Sequence, residues 1–337
     1  MRLVVLGGTR FVGRAICNAA QRRGYDVVVF NRGRSGPPPS GALAVRGDRT
    51  MVSDLRSLAK LIDERGGADL IVDPACYAPS HALMSARILK DVAPEYAVVS
   101  TVTAHNEWPE KPVESGSSTY DTGITDGPSD DASLYGRLKA GVERAVETIY
   151  GEINTLVVRP GIVLGPHEDL GRLPDYLRRA SRGNGFVVGG TPDTWFQYVD
   201  VRDLAEFVLT CGETGRPGRY DVVTRPGEYT WRDFADTVAD VAGGTPVFVP
   251  DDRLLAARAD FIIVKPPQRQ QHDPQIVPAQ EGFRQRCGGG FAFILDLLEH
   301  RALFELQPDP QRNAKQHDRQ QERNPPTPCR EILRRHR

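Results

Sequence analysis

The sequence predicts a doubly wound α/β domain, in which helices cover both faces of a parallel β-sheet. Short runs of Val, Ile and Leu recur along the first 160 residues, and helix-like stretches alternate with them. Strands that are apolar along their whole length are typical of sheets buried on both faces. A glycine-rich turn directly after the first run is a third indication, because this fold begins with such a strand–turn–helix unit.

The individual elements follow from these patterns. Strands are predicted at Arg2–Leu6, Asp26–Phe30, Ala42–Arg46, Asp69–Val72, Tyr96–Ser100 and Asn154–Val158. Helices are predicted at Phe11–Arg23, Ser53–Arg65, Pro79–Val92 and Ser133–Tyr150. Gly24 ends the first helix, since glycine is the common residue just past a helix C-terminus. Beyond Arg159 the alternation becomes irregular and rich in Gly and Pro, which predicts a smaller lobe at the sheet edge.

The composition divides the chain into three predicted parts. Residues 1–160 form the sheet domain, residues 161–264 form a lobe interleaved with the sheet edge, and residues 265–337 form a tail. Gln occurs twice before residue 265 and eleven times after it. From Gln307 onward apolar periodicity is lost, so we expect a largely disordered tail that cannot bury enough surface to offset its ordering entropy. The abrupt change also fits an altered reading frame.

Charge and composition argue against several classes of protein. The 43 Lys and Arg residues nearly balance the 44 Asp and Glu residues, which disfavours nucleic acid as a partner. No apolar run approaches the roughly 20 residues of a membrane helix. The five cysteines form no C-x-x-C pair, which favours the cytoplasm. His105 and His167 have no second ligand at metal spacing, so no metal is predicted. The oligomeric state stays open.

The glycine turn is the first candidate binding site. It reads Gly7-Gly8-Thr9-Arg10-Phe11-Val12-Gly13. Gly7 permits a tight turn, and Gly13 lets the helix pack close to the sheet. The N–H groups at the helix start, together with the positive end of the helix dipole, suit a pyrophosphate. These residues are therefore predicted to bind a dinucleotide, and a tight turn without a ligand is the alternative.

The segment after the second strand bears on which dinucleotide is bound. An NAD-selective site presents Asp or Glu there, but this chain has Arg32 and Arg34. A guanidinium can bind a 2′-phosphate through two hydrogen bonds, so the pair favours NADP, with NAD as the other option. A solvated basic loop is the alternative.

A tyrosine and a lysine form the candidate catalytic pair. Tyr135 and Lys139 are separated by one helical turn, so their side chains share a face of the predicted helix. A neighbouring ammonium favours the phenolate, and we expect it to lower the tyrosine pKa from about 10 toward neutrality. A surface Tyr and Lys without a role is the alternative.

Taken in order along the chain, these motifs resemble the short-chain dehydrogenase/reductase superfamily, extended type, in its NAD-dependent epimerase/dehydratase branch. The glycine turn is similar to the GGTxFxG variant of atypical members, with Arg10 in place of the usual middle glycine. Arg159-Pro160-Gly161 is similar to the segment beside the nicotinamide, and residues 197–205 are similar to the HVxDxA element near the second lobe. The resemblance covers roughly residues 1–260 and implies a Rossmann fold.

The resemblance implies a role for each matching residue. Tyr135 would be the general acid/base, and Lys139 would hold the nicotinamide ribose. Thr101 would be the catalytic hydroxyl, with Ser100 as the runner-up. The implied cofactor-binding residues are Gly7, Gly8, Thr9, Arg10, Phe11, Val12, Gly13, Arg32, Asp48, Lys139 and Pro160, with Asp48 at the adenine end. Cys76 would be a packed residue near the cofactor.

The expected function is that of an NADP-preferring oxidoreductase acting on a carbonyl or alcohol carbon of a small molecule. A nucleotide-sugar epimerase or dehydratase that retains its nicotinamide cofactor is the first alternative. A non-catalytic RNA-binding member is the second, and the near-zero net charge argues against it. Trp195 and Phe196 either line the substrate pocket or pack in the core.

Overall fold

The central feature of the computed structural model, which describes residues 1–109, 113, 116–250 and 254, is a parallel β-sheet. The strands are β1 (Arg2–Leu6), β2 (Asp26–Asn31), β3 (Leu43–Arg46), β4 (Leu70–Asp73), β5 (Glu95–Val99), β6 (Thr155–Pro160), β7 (Ile162–Leu164), β8 (Gly185–Gly189), β9 (Tyr198–Asp200), β10 (Gly218–Val222) and β11 (Thr245–Val249). Seven of them form the main sheet in the order β10-β6-β5-β4-β1-β2-β3. The predicted fold class is confirmed, and the predicted tail, residues 265–337, lies outside the described residues.

Helices cover both faces of this sheet, as the apolar strands require. They are α1 (Phe11–Arg22), α2 (Val52–Glu64), α3 (Pro79–Leu89), α4 (Tyr135–Tyr150), α5 (Arg172–Ala180), α6 (Val201–Glu213) and α7 (Trp231–Ala242). One core lies between the sheet and helices α1 and α6, and the other lies between the sheet and helices α2, α3 and α4. The strand β1 contributes side chains to both cores, because alternate side chains of a strand point to opposite faces.

The strand order determines where a ligand can bind. The chain builds β1, β2 and β3 outward in one direction and then crosses back to build β4, β5 and β6 in the other. The reversal opens a crevice at the carboxyl ends of β1 and β4, where ligands of open parallel sheets bind. The glycine turn follows β1 and therefore lies at this crevice.

A smaller lobe follows the sixth strand. It contains two short parallel pairs, β7 with β9 and β8 with β11. Its core is an aromatic cluster of Tyr176, Phe196, Trp231 and Phe234. The ring centroids of Phe196 and Trp231 are 4.4 Å apart, and Phe196 is only 3% exposed. Of the two predicted alternatives, core packing therefore holds for Phe196.

The lobe and the sheet are interleaved along the chain. After β6 the chain builds the first part of the lobe, then returns as β10, which pairs in parallel with β6 at the edge of the main sheet. Helix α6 packs against α1 on the sheet domain. In the part of the chain that the structure describes, no helix combines the length and apolar character needed to cross a bilayer.

Candidate active site

The glycine turn has the backbone geometry that its sequence predicts. Gly7 and Gly8 have φ angles of 140° and 91°, in the region that side chains with a Cβ rarely adopt. A Cβ on Gly13 would lie 2.7 Å from the backbone nitrogen of Gly8, so the start of α1 packs directly on the turn. No side chain caps this helix start. The first amide groups of α1 are therefore available to a negatively charged ligand.

Arg10, which replaces the usual middle glycine, reaches toward the second lobe. Its side chain forms an ion pair with Asp169, in the loop before α5. Asp169 belongs to the same loop as Glu168, whose buried carboxylate accepts hydrogen bonds from the backbone nitrogens of Arg172 and Leu173 at 3.0 and 2.8 Å. The predicted pyrophosphate loop is thus tied to the lobe by a charged contact.

A basic rim lies beyond the ends of β2 and β3. Arg32 and Arg34 flank Gly33, and the Nε atom of Arg46 lies 3.6 Å from the position of a Cβ built on Gly33. Sequence reasoning missed Arg46, although the carboxyl ends of neighbouring parallel strands necessarily meet. A hydrogen bond from the Thr50 backbone lowers the pKa of Asp48, and Arg32 and Arg34 lower it further. The structure therefore brings the predicted Arg32 and Asp48 together.

Tyr135 and Thr101 lie together at the carboxyl edge of the sheet. Tyr135 is the first residue of α4, and Thr101 directly follows the end of β5 and the connecting Ser100. Thr101 is near enough to lower the pKa of the Tyr135 phenol, and its own hydroxyl lies 3.1 Å from that of Thr103 and accepts from the Thr103 backbone nitrogen at 3.2 Å. The close approach depends on Gly136, because a Cβ there would lie 2.0 Å from the carbonyl oxygen of Thr103. The short 3₁₀ turn Val102–Ala104 is thereby pressed against the start of the helix.

The acid–base character of Tyr135 differs from the expectation. Although 39% of the residue is exposed, its hydroxyl faces Thr101, and loss of hydration raises the pKa of Tyr135 to about 12. The nearby Thr101 side chain opposes this rise in the pKa. The expected lowering by Lys139 is wrong for the described structure, because the lysine ammonium is directed elsewhere.

Lys139 is buried beneath the site. Its Nζ atom donates hydrogen bonds to the carbonyl oxygens of Val99 at 2.7 Å and Cys76 at 2.9 Å. Burial lowers the pKa of Lys139. The ring of Tyr77 lies 5.4 Å from the same Nζ atom. Burial also raises the pKa of the Cys76 thiol, which fits the packed role expected for it.

Ser100 is engaged away from Tyr135. Its hydroxyl donates to the carboxylate of Glu143, which is 2% exposed. Arg159 pairs with the same carboxylate through its Nη2 atom at 2.6 Å. The Nε2 atom of His105 in turn lies 2.9 Å from Asp221 at the end of β10. Between the two candidate hydroxyls, the geometry therefore favours Thr101 over Ser100.

This buried network was missed by sequence reasoning. Glu143 follows Lys139 by one helical turn, as Lys139 follows Tyr135, so all three share one face of α4. That spacing was the available signal. The adjoining Pro160, predicted beside the cofactor, is buried at the end of β6 next to Arg159. Among the described residues no group of three metal-ligating side chains is present.

Comparison with known protein families identifies the family of this chain. Residues 3–223 match the NAD dependent epimerase/dehydratase family. The chain belongs to this family. The match spans the main sheet, the glycine turn, α4 and β10, and it confirms the resemblance found in the motifs. As a family member, the chain is an enzyme of the short-chain dehydrogenase/reductase type.

One curated relative is similar over most of its length. It is the epimerase family protein SDR39U1 of Bos taurus, which is 25% identical over 259 residues, covering 74% of this chain and 83% of the relative.

Several solved structures share the fold. UDP-glucose 4-epimerase of Thermus thermophilus, in complex with NAD, has a TM-score of 0.59 at 22% identity, covering 89% of this chain and 99% of that one. dTDP-glucose 4,6-dehydratase of Bacillus anthracis, in complex with NAD, has a TM-score of 0.63 at 15% identity, covering 90% and 97%. dTDP-4-dehydrorhamnose reductase of the same organism, in complex with NADP, has a TM-score of 0.54 at 16% identity, covering 74% and 83%.

Proposed function

We propose that the chain is an NADP-preferring oxidoreductase that acts on a carbonyl or alcohol carbon of a small molecule. The observation that carries this proposal is the placement of Tyr135, at the start of α4, beside Thr101, just after β5, where Gly136 packs directly on the Thr103 carbonyl. Lys139 lies one helical turn away on the same face. Two adjacent hydroxyls can share one substrate oxygen, one as the proton donor and the other as a hydrogen-bonding partner.

Each of the three side chains has a distinct task in this proposal. Because the pKa of Tyr135 is about 12, its phenol is protonated at neutral pH and can donate a proton to a carbonyl oxygen. Thr101 orients that oxygen. Lys139 has three N–H donors and uses two on the carbonyls of Cys76 and Val99, so one remains for a ribose hydroxyl. The nicotinamide, when bound, supplies hydride transfer.

The dinucleotide fits the residues around the crevice. The glycine turn leaves no Cβ between the backbone and a pyrophosphate, and the first amides of α1 carry no side-chain cap. NADP preference is supported by Arg32, Arg34 and Arg46, since three guanidiniums favour a 2′-phosphate over a ribose hydroxyl. The carboxylate of Asp48 lies near Arg32 and Arg34 and opposes that preference.

An epimerase or dehydratase that retains its cofactor is the second candidate. It is supported by the family to which residues 3–223 belong and by the similarity to UDP-glucose 4-epimerase and dTDP-glucose 4,6-dehydratase. The same triad would remove and return a proton while the nicotinamide cofactor stays bound. Cofactor that copurifies with the protein, together with no net turnover of NADPH, would select this candidate.

The division of labour along the chain is part of the proposal. Residues 1–160 would hold the cofactor, and residues 161–264 would supply most of the substrate contacts. The aromatic core of the lobe supports the substrate role of residues 161–264, because its packed rings can hold the loops of the lobe in place. A cytoplasmic location is proposed on the scattered cysteines alone.

The test is a parallel measurement with both cofactors. NADPH and NADH are titrated against the purified full chain by nicotinamide fluorescence, and carbonyl compounds and sugar nucleotides are then screened for oxidation of each. We expect NADPH to bind more tightly and to be consumed with at least one carbonyl compound. Failure of both cofactors to bind would overturn the proposal, and tighter binding of NADH would overturn its NADP preference.

A further inference from the structure

A second buried ion pair lies beneath the glycine turn, away from the candidate triad. Arg49 follows β3, and Asp73 is the last residue of β4. The Nη1 atom of Arg49 lies 2.8 Å from each carboxylate oxygen of Asp73, which is 0% exposed. The hydroxyl of Tyr96 donates to the same carboxylate at 3.0 Å, and the backbone nitrogen of Ala75 donates at 3.3 Å.

The other arm of the guanidinium reaches the glycine turn. The Nη2 atom of Arg49 donates to the carbonyl oxygen of Leu6, the residue directly before Gly7. Across the crevice Gly7 faces Pro74, whose Cγ atom would lie 3.7 Å from a Cβ at Gly7. One guanidinium therefore connects the two segments that face each other where the dinucleotide is proposed to bind.

The segment after β4 also controls Lys139. This segment, residues 74–76, begins directly after Asp73, and its last carbonyl, that of Cys76, accepts a hydrogen bond from Lys139 at 2.9 Å. The charges of Arg49 and Asp73 both influence the pKa of Lys139, in opposite directions, while burial dominates and lowers it. A shift of this segment would therefore move the Cys76 carbonyl that accepts the hydrogen bond from Lys139. It would also move the wall of the crevice.

Stability alone is a weak reason for such a pair. Removing two charges from water costs free energy that their attraction often only balances, so an apolar pair of similar size would stabilise a core equally well. The fork of a guanidinium, in contrast, can hold a carboxylate and a carbonyl in one fixed arrangement, which an apolar pair cannot do.

We propose that Arg49 and Asp73 are positioning residues for the dinucleotide, which fix the glycine turn against the segment after β4 at the spacing that the cofactor needs. The inference rests on the proposed cofactor binding. It predicts that cofactor affinity depends on the guanidinium fork and not only on the positive charge of Arg49.

The experiment compares Arg49→Lys with a matched control, Arg23→Lys. Arg23 is similarly enclosed and bonds Glu206 and Glu213 between α1 and α6, at the far end of α1 from the glycine turn. Lysine keeps the charge at both positions but cannot make the paired contacts. We expect Arg49→Lys to weaken NADPH binding about tenfold, the loss of one charge-assisted hydrogen bond, and Arg23→Lys to leave it unchanged.

Chemical rescue separates positioning from general damage. In Arg49→Ala, added ethylguanidinium should restore most of the NADPH affinity, and ethylammonium at the same concentration should not. Equal affinity of Arg49→Lys and the parent, equal losses in the Arg49 and Arg23 variants, failure of the Arg49 variants to fold, or rescue by both cations would overturn the inference. If the parent binds neither NADPH nor NADH, the proposed function itself fails first.

Discussion

The charged residues at the two ends of the sheet's carboxyl edge differ in burial. At the proposed adenosine end, Arg32, Arg34 and Arg46 lie on the surface and act in water. At the proposed reaction end, Lys139 and Glu143 are 1% and 2% exposed, and both are engaged with protein groups. Exposed charges select a ligand through affinity that salt can screen, whereas buried charges act through fixed geometry and are costly to remove.

The largest effect is expected at the reaction end, from Tyr135→Phe. The change removes one hydroxyl and keeps the ring, so turnover of an identified substrate should fall about 10²–10⁴-fold, the usual contribution of general acid–base catalysis. NADPH affinity should stay the same. Tyr25→Phe, at a half-buried tyrosine that bonds Glu213, is the control. Turnover within about threefold of the parent would remove Tyr135 from the mechanism.

The second-largest effect is expected in the buried charge network, where Glu143→Gln should strongly reduce the free energy of unfolding. Arg159, 5% exposed, would lose its charge partner in the core, and breaking a buried pair costs about 3–5 kcal/mol in the free energy of unfolding. At the exposed pair of Lys60 and Glu64, Glu64→Gln should cost no more than about 0.5 kcal/mol. Urea denaturation measures both. Similar losses at the two sites would show that burial makes no difference.

At the adenosine end a smaller and more selective effect is expected. Arg32→Ala should weaken NADPH binding about ten- to a hundredfold, the loss of a charge-assisted hydrogen bond, and leave NADH binding nearly unchanged. The difference should shrink as salt is added, because the rim is exposed. Arg56→Ala, on the exposed face of α2, is the control. Equal loss for both cofactors would place Arg32 at a shared part of the dinucleotide.

The smallest effect concerns the titration of Tyr135. Its pKa of about 12 lies above the ordinary value of 10.0, so the neutral phenol favours the folded state below pH 10, and that contribution disappears as the pH rises toward 12. The difference in phenolate absorbance between the parent and Tyr135→Phe should therefore appear near pH 12. Thr101→Val should move it higher, because the Thr101 side chain lowers this pKa. A transition near pH 10 would contradict the raised pKa of Tyr135.

Most of the fold could be predicted because it depends on local patterns. Apolar runs mark buried strands whatever lies beside them, and the prediction at Ala42–Arg46 differs from β3 by one residue. The helix predicted from Ser133 begins at Tyr135, because Asp131 first caps a 3₁₀ turn by accepting a hydrogen bond from the Ser133 nitrogen at 2.9 Å. Competition between the two helix types is decided by such a contact and not by periodicity.

The missed parts of the site depend on contacts between distant segments. Arg49 and Asp73 are 24 residues apart and meet because the chain after β3 brings Arg49 back to the carboxyl end of β1, beside β4, which no spacing rule encodes. The pKa of Tyr135 was mispredicted for a related reason. The spacing placed Lys139 on the right face but did not show that the carbonyls of Cys76 and Val99 hold its ammonium.

The return of the chain as β10 limits how this enzyme can be rebuilt. The edge strand of the main sheet, Gly218–Val222, follows much of the lobe in the sequence. Transplanting the lobe from a relative therefore needs two junctions, one after Pro160 and one before Gly218, and a third if α7 is included. A single crossover after β6 would exchange the edge strand as well, together with Asp221 and its contact to His105. Chimaeras with one junction should consequently lose sheet integrity before they gain a new substrate.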